Sequence, residues 1–528
     1  MNNTLYIKFI LLIAIILFAP LKGHSQFPQH LSYTEEDDIG MLNPYEFEMP
    51  RNASIRLFSL LFEPLYRYNF DEESYKSVLV ESERRTGQNQ YSFRLVDANW
   101  HDGEALTASD VKFTYEYVLE HGKNEVVRNR IKNGITDISI ISDREFSIRF
   151  ADGVTQVKSI LTQFIMPKHA LDGDSAVRQQ FARSPIGTGP FVFEDRGRQG
   201  RVSLSRFEDY HSELPKIENI GLRRVSDPST RISGLLAGQT DLLVEVPFGR
   251  LQDVESRLRH QIEPYHSISI NTIIFNFNNP KFEDRNLRLA MSYGFNREHS
   301  LDQWYEGQGS LISGPYSPAS SLHDPDVRPL PYDPDEAVRL LNESGYEDKN
   351  GDGILQSPSG EKLSFDILVR RTVGASELPA QNVAQDFVDN MREIGIEINL
   401  KSELSDNFQR IVHYDRDFEL ALIEWTFDPS YNAALLFHSD YIQPGGGNAG
   451  SFNSSEINEL FDSLQIARQY RDRYRIASQI QRKLAEEAPH IFMFSVMKNA
   501  AIDLRFANVV IDPLHFFSYI NRWEVIDD

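Results

Sequence analysis

The 528-residue chain contains no cysteine. That absence excludes disulfides, a thiol nucleophile and a thiolate metal site. It also excludes a lipid-modified cysteine at a mature N-terminus, and with it a bacterial lipoprotein. Long hydrophobic runs are missing everywhere except at the start, where Lys8 precedes an apolar stretch from Phe9 to Ala19. Eleven apolar residues fall short of a spanning helix, which needs roughly 20. Gly23-His24-Ser25 sets small residues at the −3 and −1 positions of a cleavage site, so residues 1–25 read as a secretory signal peptide. An uncleaved anchor from Leu5 to Leu21 is the competing reading. The mature protein is expected to begin near Gln26, exported, soluble, without lipid, and free in the periplasm of a Gram-negative cell.

Basic residues are also scarce. The chain has 54 Lys and Arg against 77 Asp and Glu, a net charge of −23, which becomes −25 once Lys8 and Lys22 leave with the signal peptide. An acid excess of that size argues against nucleic acid or an anionic membrane surface as partner. Arg84-Arg85, Arg223-Arg224 and the Arg471/Arg473/Arg475 group read as solvated faces. Among the 14 histidines no His-Glu-x-x-His occurs, and Gly-x-Ser-x-Gly is absent. Nothing therefore supports an enzyme, a metal centre or a cofactor. Asp348-Lys-Asn350-Gly-Asp352-Gly353 begins like a calcium loop, but Ser359 stands where the bidentate Glu belongs and Glu361 is two residues late, so it reads as a polar turn.

What is present is a mixture of helices and strands over a length that needs about three domains. Thr107-Ala-Ser-Asp110 is a capping-box pattern opening a helix through Val111, Tyr115 and Val118. Asp333-Pro334-Asp-Glu336 opens another, stopped at Gly345, and Phe387–Ile394 ends at Gly395. Alternation marks strands at 145–150, 202–207, 220–225, 241–246 and 396–400, and 491–496 reads as a further strand. The class is α/β or α+β.

One place stands out. Phe418–Trp425 is apolar on both faces, the mark of a strand in a covered, largely parallel sheet. Ligands bind beyond the carboxyl ends of such strands. Trp425 and Asp428 thus put an aromatic wall and a carboxylate at the mouth of a cleft, where a carboxylate suits a ligand cation. Asp428 before Pro429 also suits a plain turn or helix cap.

Six segments in order resemble one family: Trp100-His-Asp-Gly-Glu-Ala-Leu-Thr-Ala-Ser-Asp-Val-Lys-Phe-Thr, Pro185-Ile-Gly-Thr-Gly-Pro-Phe, Arg231–Leu242, Phe282–Glu298, Tyr332-Asp-Pro-x-x-Ala-x-x-Leu-Leu, and Trp425-x-x-Asp428. They are similar to the family 5 extracellular solute-binding proteins, the oligopeptide and dipeptide receptors of ABC importers. The resemblance implies an α/β, two-lobed periplasmic-binding-protein fold of type II-like topology, with a hinge and an extra domain in the first lobe. Lobe I would take 27–53, 184–268 and 491–528, the extra domain 54–183 and lobe II 269–490. Crossings near His266–Asn271 and Ala488–Phe494 would form the hinge. It also implies that Asp428 pairs with a peptide's α-ammonium and that Trp425 lines the same pocket. The expected partners are a peptide or other small solute and the permease subunits of an ABC transporter in the inner membrane, with no nucleic acid, no cofactor and a monomeric state. Dipeptide receptors hold the ligand carboxylate with an Arg and a Tyr, but Thr372–Pro379 offers Ala375 and Glu377 there, which points to oligopeptides over strict dipeptides. A nickel complex or an oligosaccharide is the alternative ligand. An exported hydrolase is the remaining alternative.

Overall fold

The computed structural model describes residues 29–47, 52–69, 72, 74–154, 156–197, 200–256, 259–371, 379–427, 432–467 and 469–526. Two mixed sheets share one strand. In the first lobe, Leu242–Leu243, His30–Glu35 and Asn219–Arg224 run parallel, followed by antiparallel Val202–Arg206 and Phe191–Arg196. In the second lobe, Glu397–Leu404, Ser364–Arg371 and Leu420–Thr426 run parallel, with Ser269–Phe275 antiparallel beside them. The sheet holding the strand that ends at Thr426 is therefore mixed, not largely parallel, because its two neighbours run in opposite directions.

The shared strand is His490–Asp503. Its first residues pair with Ser269–Phe275 and Gly309–Leu311, and from Met497 onward it pairs with His260–His266. The two chain crossings thus lie side by side, at Ser267–Ile268 and between Val496 and Met497. The strand runs seven residues beyond the expected end at 496. Polar Lys498 and Asn499 interrupt the apolar pattern there, yet their backbone stays in the ladder. The helix expected over 387–394 also runs longer, from Pro379 to Glu393. The segment 54–183 carries its own antiparallel sheet, in the order Val80–Arg85, Gln90–Leu95, Glu145–Phe150, Ile135–Ser142.

The sequence motifs turn out to be joints between distant segments. Asp241 accepts from the Ser32 amide and hydroxyl, both at 2.7 Å, and pairs with Arg505 at 2.6 Å. Arg231, buried, reaches the Val225 carbonyl at 3.0 Å and Glu36 at 2.9 Å. Asp110 accepts from the Thr107 amide and hydroxyl at 2.8 Å and from the Lys168 amide at 2.8 Å, tying the helix Ala108–His121 to the next segment. Arg288 donates to the carbonyls of Phe282 at 2.6 Å and Glu487 at 2.6 Å, closing the end of helix Tyr470–Glu487 where left-handed Ala488 turns the chain into the shared strand. Burial works against the Arg288 charge and brings its pKa down to about 10.

The His101 ring bridges the Gly187 amide, which donates to Nδ1 at 3.1 Å, and the Gly189 carbonyl, 2.9 Å from Nε2. That arrangement holds one neutral tautomer, and burial lowers the ring's pKa to about 4. Gly187 itself passes so close to the preceding helix that a Cβ there would stand 1.8 Å from the Leu61 carbonyl oxygen. Gly187→Ala is expected to lower stability by at least the ~1–3 kcal/mol typical of overpacking, measurable as a lower denaturant midpoint. An unchanged midpoint would show that the turn can move aside.

One core spans the first lobe and the extra sheet, from Leu31 to Trp523, and a separate one fills the second lobe. Phe248 crosses from the first lobe to meet Tyr305 of the second, ring centroids 4.8 Å apart. Under the first lobe, buried Glu63 accepts from Tyr210 at 2.7 Å and pairs with His211 at 2.8 Å.

Candidate functional site

The first-lobe strand Leu242–Leu243 and the second-lobe strand Leu420–Thr426 both end beside the paired crossings, where the cleft between the lobes lies. Along Leu420–Thr426, Leu420 and Leu422 pack into the second-lobe core, while Ala421 and Ile423 pack on the opposite face against Phe408 and Val412. That double burial ends at Glu424, and the strand opens toward solvent there.

Trp425 pairs in register with Ile270 and packs against the cluster holding Phe427, Leu436 and Phe437. The His413 ring lies 6.2 Å from it, kept neutral by burial, which lowers its pKa to about 4. A Cβ at Gly447 would come within 2.9 Å of the indole Cη2 and 2.6 Å of the Leu435 carbonyl, so only glycine fits beneath the ring. The indole Nε1 is buried and makes no hydrogen bond among the described residues. Asp428 and the stretch 372–378 lie outside the described residues. Arg370 and Arg371, at the end of their strand, are exposed.

The floor of the cleft carries a charge cluster that sequence reading did not find. Lys498 of the shared strand lies 3.2 Å from Glu245, just beyond the first-lobe strand Leu242–Leu243, and 3.6 Å from Glu424 of the second lobe. Its side chain is 14% exposed, against 40% for Glu245 and 36% for Glu424. Burial works against the Lys498 charge, but the two carboxylates outweigh it and hold its pKa well above the usual lysine range. Lys498 in turn, against the cost of burial and with help from Arg370 and Ser269, depresses the Glu424 pKa. Glu424 stays ionised at neutral pH, and one ammonium bridges the lobes. No local signal announces this cluster, because its members are 179 and 74 positions apart along the chain.

Several other polar groups that could take a ligand have partners within the protein. Glu35 is held by Arg56 through two bonds of 2.7 and 2.6 Å, and the Tyr265 hydroxyl donates to the Val244 carbonyl at 3.0 Å. In the Asp348–Gly353 turn, Asp348 accepts from the Gly351 and Gly353 amides, while Asp352 accepts from Ile354 and pairs with Lys362 at 2.6 Å. Its carboxylates are taken up by the turn's own amides and a lysine.

The fold recurs among known proteins. The oligopeptide-binding protein AppA of Bacillus subtilis is 27% identical over 441 residues, 80% of this chain and 78% of that one. The nickel-binding protein NikA of Staphylococcus aureus is 22% identical over 472 residues, 89% of each. The solved structure of Bacillus subtilis AppA with a nonapeptide superposes with a TM-score of 0.81 at 22% identity, covering 94% of this chain and 99% of that one. NikZ from Campylobacter jejuni, in complex with Ni(L-His), gives a TM-score of 0.81 at 20% identity with the same coverage. Residues 74–444 match the family described as bacterial extracellular solute-binding proteins, family 5 Middle, and the chain belongs to that family.

Proposed function

We propose that the protein captures oligopeptides in the cleft between its lobes and delivers them to the permease of an ABC importer in the inner membrane. It acts as a periplasmic monomer freed of residues 1–25 and carries no lipid. Members of this family bind solutes for transport and are not enzymes. The observation that carries the peptide reading is the strand Leu420–Thr426, which delivers Trp425 to the cleft with Asp428 three residues further on. Asp428 receives the ligand's α-ammonium and Trp425 lines the pocket beside it. Bacillus subtilis AppA, an oligopeptide-binding protein, supports the same class. In this reading lobe I comprises 27–53, 184–268 and 491–528, the extra domain 54–183, and lobe II 269–490, with 490–496 paired into the second-lobe sheet.

A second reading keeps the fold and replaces the peptide with a nickel complex or an oligosaccharide. The match to NikA of Staphylococcus aureus over 89% of the chain favours it. So does Thr372–Pro379, which has no Arg or Tyr for a ligand carboxylate.

Native mass spectrometry of protein purified without refolding tests export and ligand class together. The expected polypeptide mass corresponds to a start near Gln26 without lipid, and the expected extra mass is a heterogeneous set of peptides. An intact Met1 would overturn the cleavage. A nickel isotope pattern or a glycan mass in place of peptides would overturn the peptide reading.

A further inference from the structure

Just beyond Leu243 the first lobe sends one short segment toward the second. The Val246 amide donates to the Asn499 carbonyl at 2.7 Å, and the Tyr265 hydroxyl donates to the Val244 carbonyl at 3.0 Å, so the base of the segment is fixed in the first lobe. Its tip is the turn Pro247–Arg250, where the Arg250 amide donates to the Pro247 carbonyl at 3.1 Å and Gly249 takes φ +78°. Phe248, on that turn, packs against the core of the second lobe, and no other residue before Ser269 does so among the described residues. Its ring meets Tyr305, which is buried and rests in turn on Phe494 with centroids 4.9 Å apart. A ring carried by one lobe is thus seated on the apolar interior of the other.

Glu245 stands at the base of the same segment, 3.2 Å from Lys498, whose ammonium is 3.6 Å from Glu424 of the second lobe. Beside them the Asn499 side chain donates to the Gln308 side-chain carbonyl, and the Met497 amide donates to the Gln308 backbone carbonyl at 3.1 Å. Closure about the crossings brings Glu245 and Glu424 to one ammonium. Without that ammonium the two carboxylates would repel each other across the interface. With it, their approach is favourable, and Phe248 adds apolar burial to the same motion. Opening by rotation about the crossings has to withdraw Phe248 and part Lys498 from one of its acids. None of these contacts involves a solute.

We propose that Glu245–Phe248 is a closing device: Phe248 seats in the second lobe while Lys498 holds together the two acids, Glu245 and Glu424, that closure brings face to face. Together they set what fraction of the solute-free protein is shut. They thereby scale the affinity for every solute, because a site competent in only a fraction of the molecules binds more weakly by that fraction. Lys498 is a positioning residue in this device. The inference rests on the two-lobed architecture and is independent of which solute the cleft takes.

Small-angle scattering on solute-free protein reads the closure. Dialysis through dilute guanidinium chloride removes the solute, and native mass spectrometry confirms its removal. Lys498→Met should shift the balance toward the open form about tenfold, the equivalent of ~1.4 kcal/mol, and so enlarge the radius of gyration. Adding Glu245→Gln to Lys498→Met should reverse that increase, because it removes one of the two acids left facing each other. A loss of packing alone would not be reversed. Phe248→Ala should also enlarge the radius, and Glu245→Gln should not restore it. Urea midpoints establish that each variant is folded, and should Lys498→Met fail to fold, Phe248→Ala decides. A radius unchanged in either folded variant, or an increase in Lys498→Met that Glu245→Gln leaves standing, would overturn the device. No ligand is added, so either result leaves the peptide reading to its own test.

Discussion

Replacing Asp428 with Asn is expected to weaken binding of a free-amino oligopeptide about 10- to 150-fold. A hydrogen bond to a charged group is worth roughly 1.5–3 kcal/mol, and ~1.4 kcal/mol is a tenfold change. The wild-type protein should lose a similar factor when the same peptide carries an N-terminal acetyl group, because acetylation removes the ammonium and leaves the rest of the ligand intact. The two changes act on one interaction, so the acetylated peptide should bind Asp428→Asn about as well as it binds wild type. Titration calorimetry on the four combinations, with a peptide identified from the purified protein, gives the coupling directly. If acetylated and free peptides bind wild type equally, the Asp428 carboxylate does not receive the ammonium, and the ligand is oriented by Trp425 and the cleft floor instead.

His211→Ala should lower the stability of the first lobe by about 3–5 kcal/mol, the cost of stranding one member of a buried ion pair. Glu63 and His211 are 1% and 6% exposed and 2.8 Å apart. Burial alone would discharge both. The pairing outweighs it, so the Glu63 pKa is lowered and the His211 pKa is raised. The signs fix the pH window. The contribution from Glu63 is present above its unfolded pKa and is lost as pH falls through the depressed folded value. The contribution from His211 is complete below its unfolded pKa, ~6.5, and is lost as pH rises through the elevated folded value. The gap between wild type and His211→Ala should therefore be widest near pH 5–6 and narrow toward both pH 3 and pH 9. Urea denaturation followed by tryptophan fluorescence at these pH values measures it. A gap independent of pH would mean that the loss is one of packing, with no ion pair behind it.

Features fixed within one turn of chain were open to reading from sequence. The Thr107–Asp110 cap, the proline and acids opening helix Pro334–Glu343 and the left-handed Gly345 after it are all local, and the structure has them. Leu420–Thr426 was visible because four consecutive residues, Leu420 to Ile423, are apolar and buried. The Lys498 cluster was invisible for the opposite reason: its three members come from two strands and the bend after a third, which only the sheet topology brings together. The same holds for Glu63 and His211, separated by 148 residues. The shared strand was cut short in the reading because Lys498 and Asn499 look like a strand end. Beyond those two polar residues Ala500, Ala501 and Ile502 are apolar and buried again, and the ladder runs through the break. The motifs at Arg231, Asp241 and Arg288 were legible as motifs, while the carbonyls and carboxylates they hold were not.

The strand His490–Asp503 also constrains the order in which the molecule can assemble. The first lobe begins at His30, but its sheet is complete only when Met497–Asp503 has paired with His260–His266, and Arg505 donates back to the His30 carbonyl across 475 residues. Neither lobe can finish its sheet from an incomplete chain, because the last strand belongs to both. Contacts of such long sequence separation make folding slow. A ribosome-bound chain lacking its last 40 or so residues exposes an open sheet edge in each half. That delay leaves both large sheets unfinished until the end of the chain has been made.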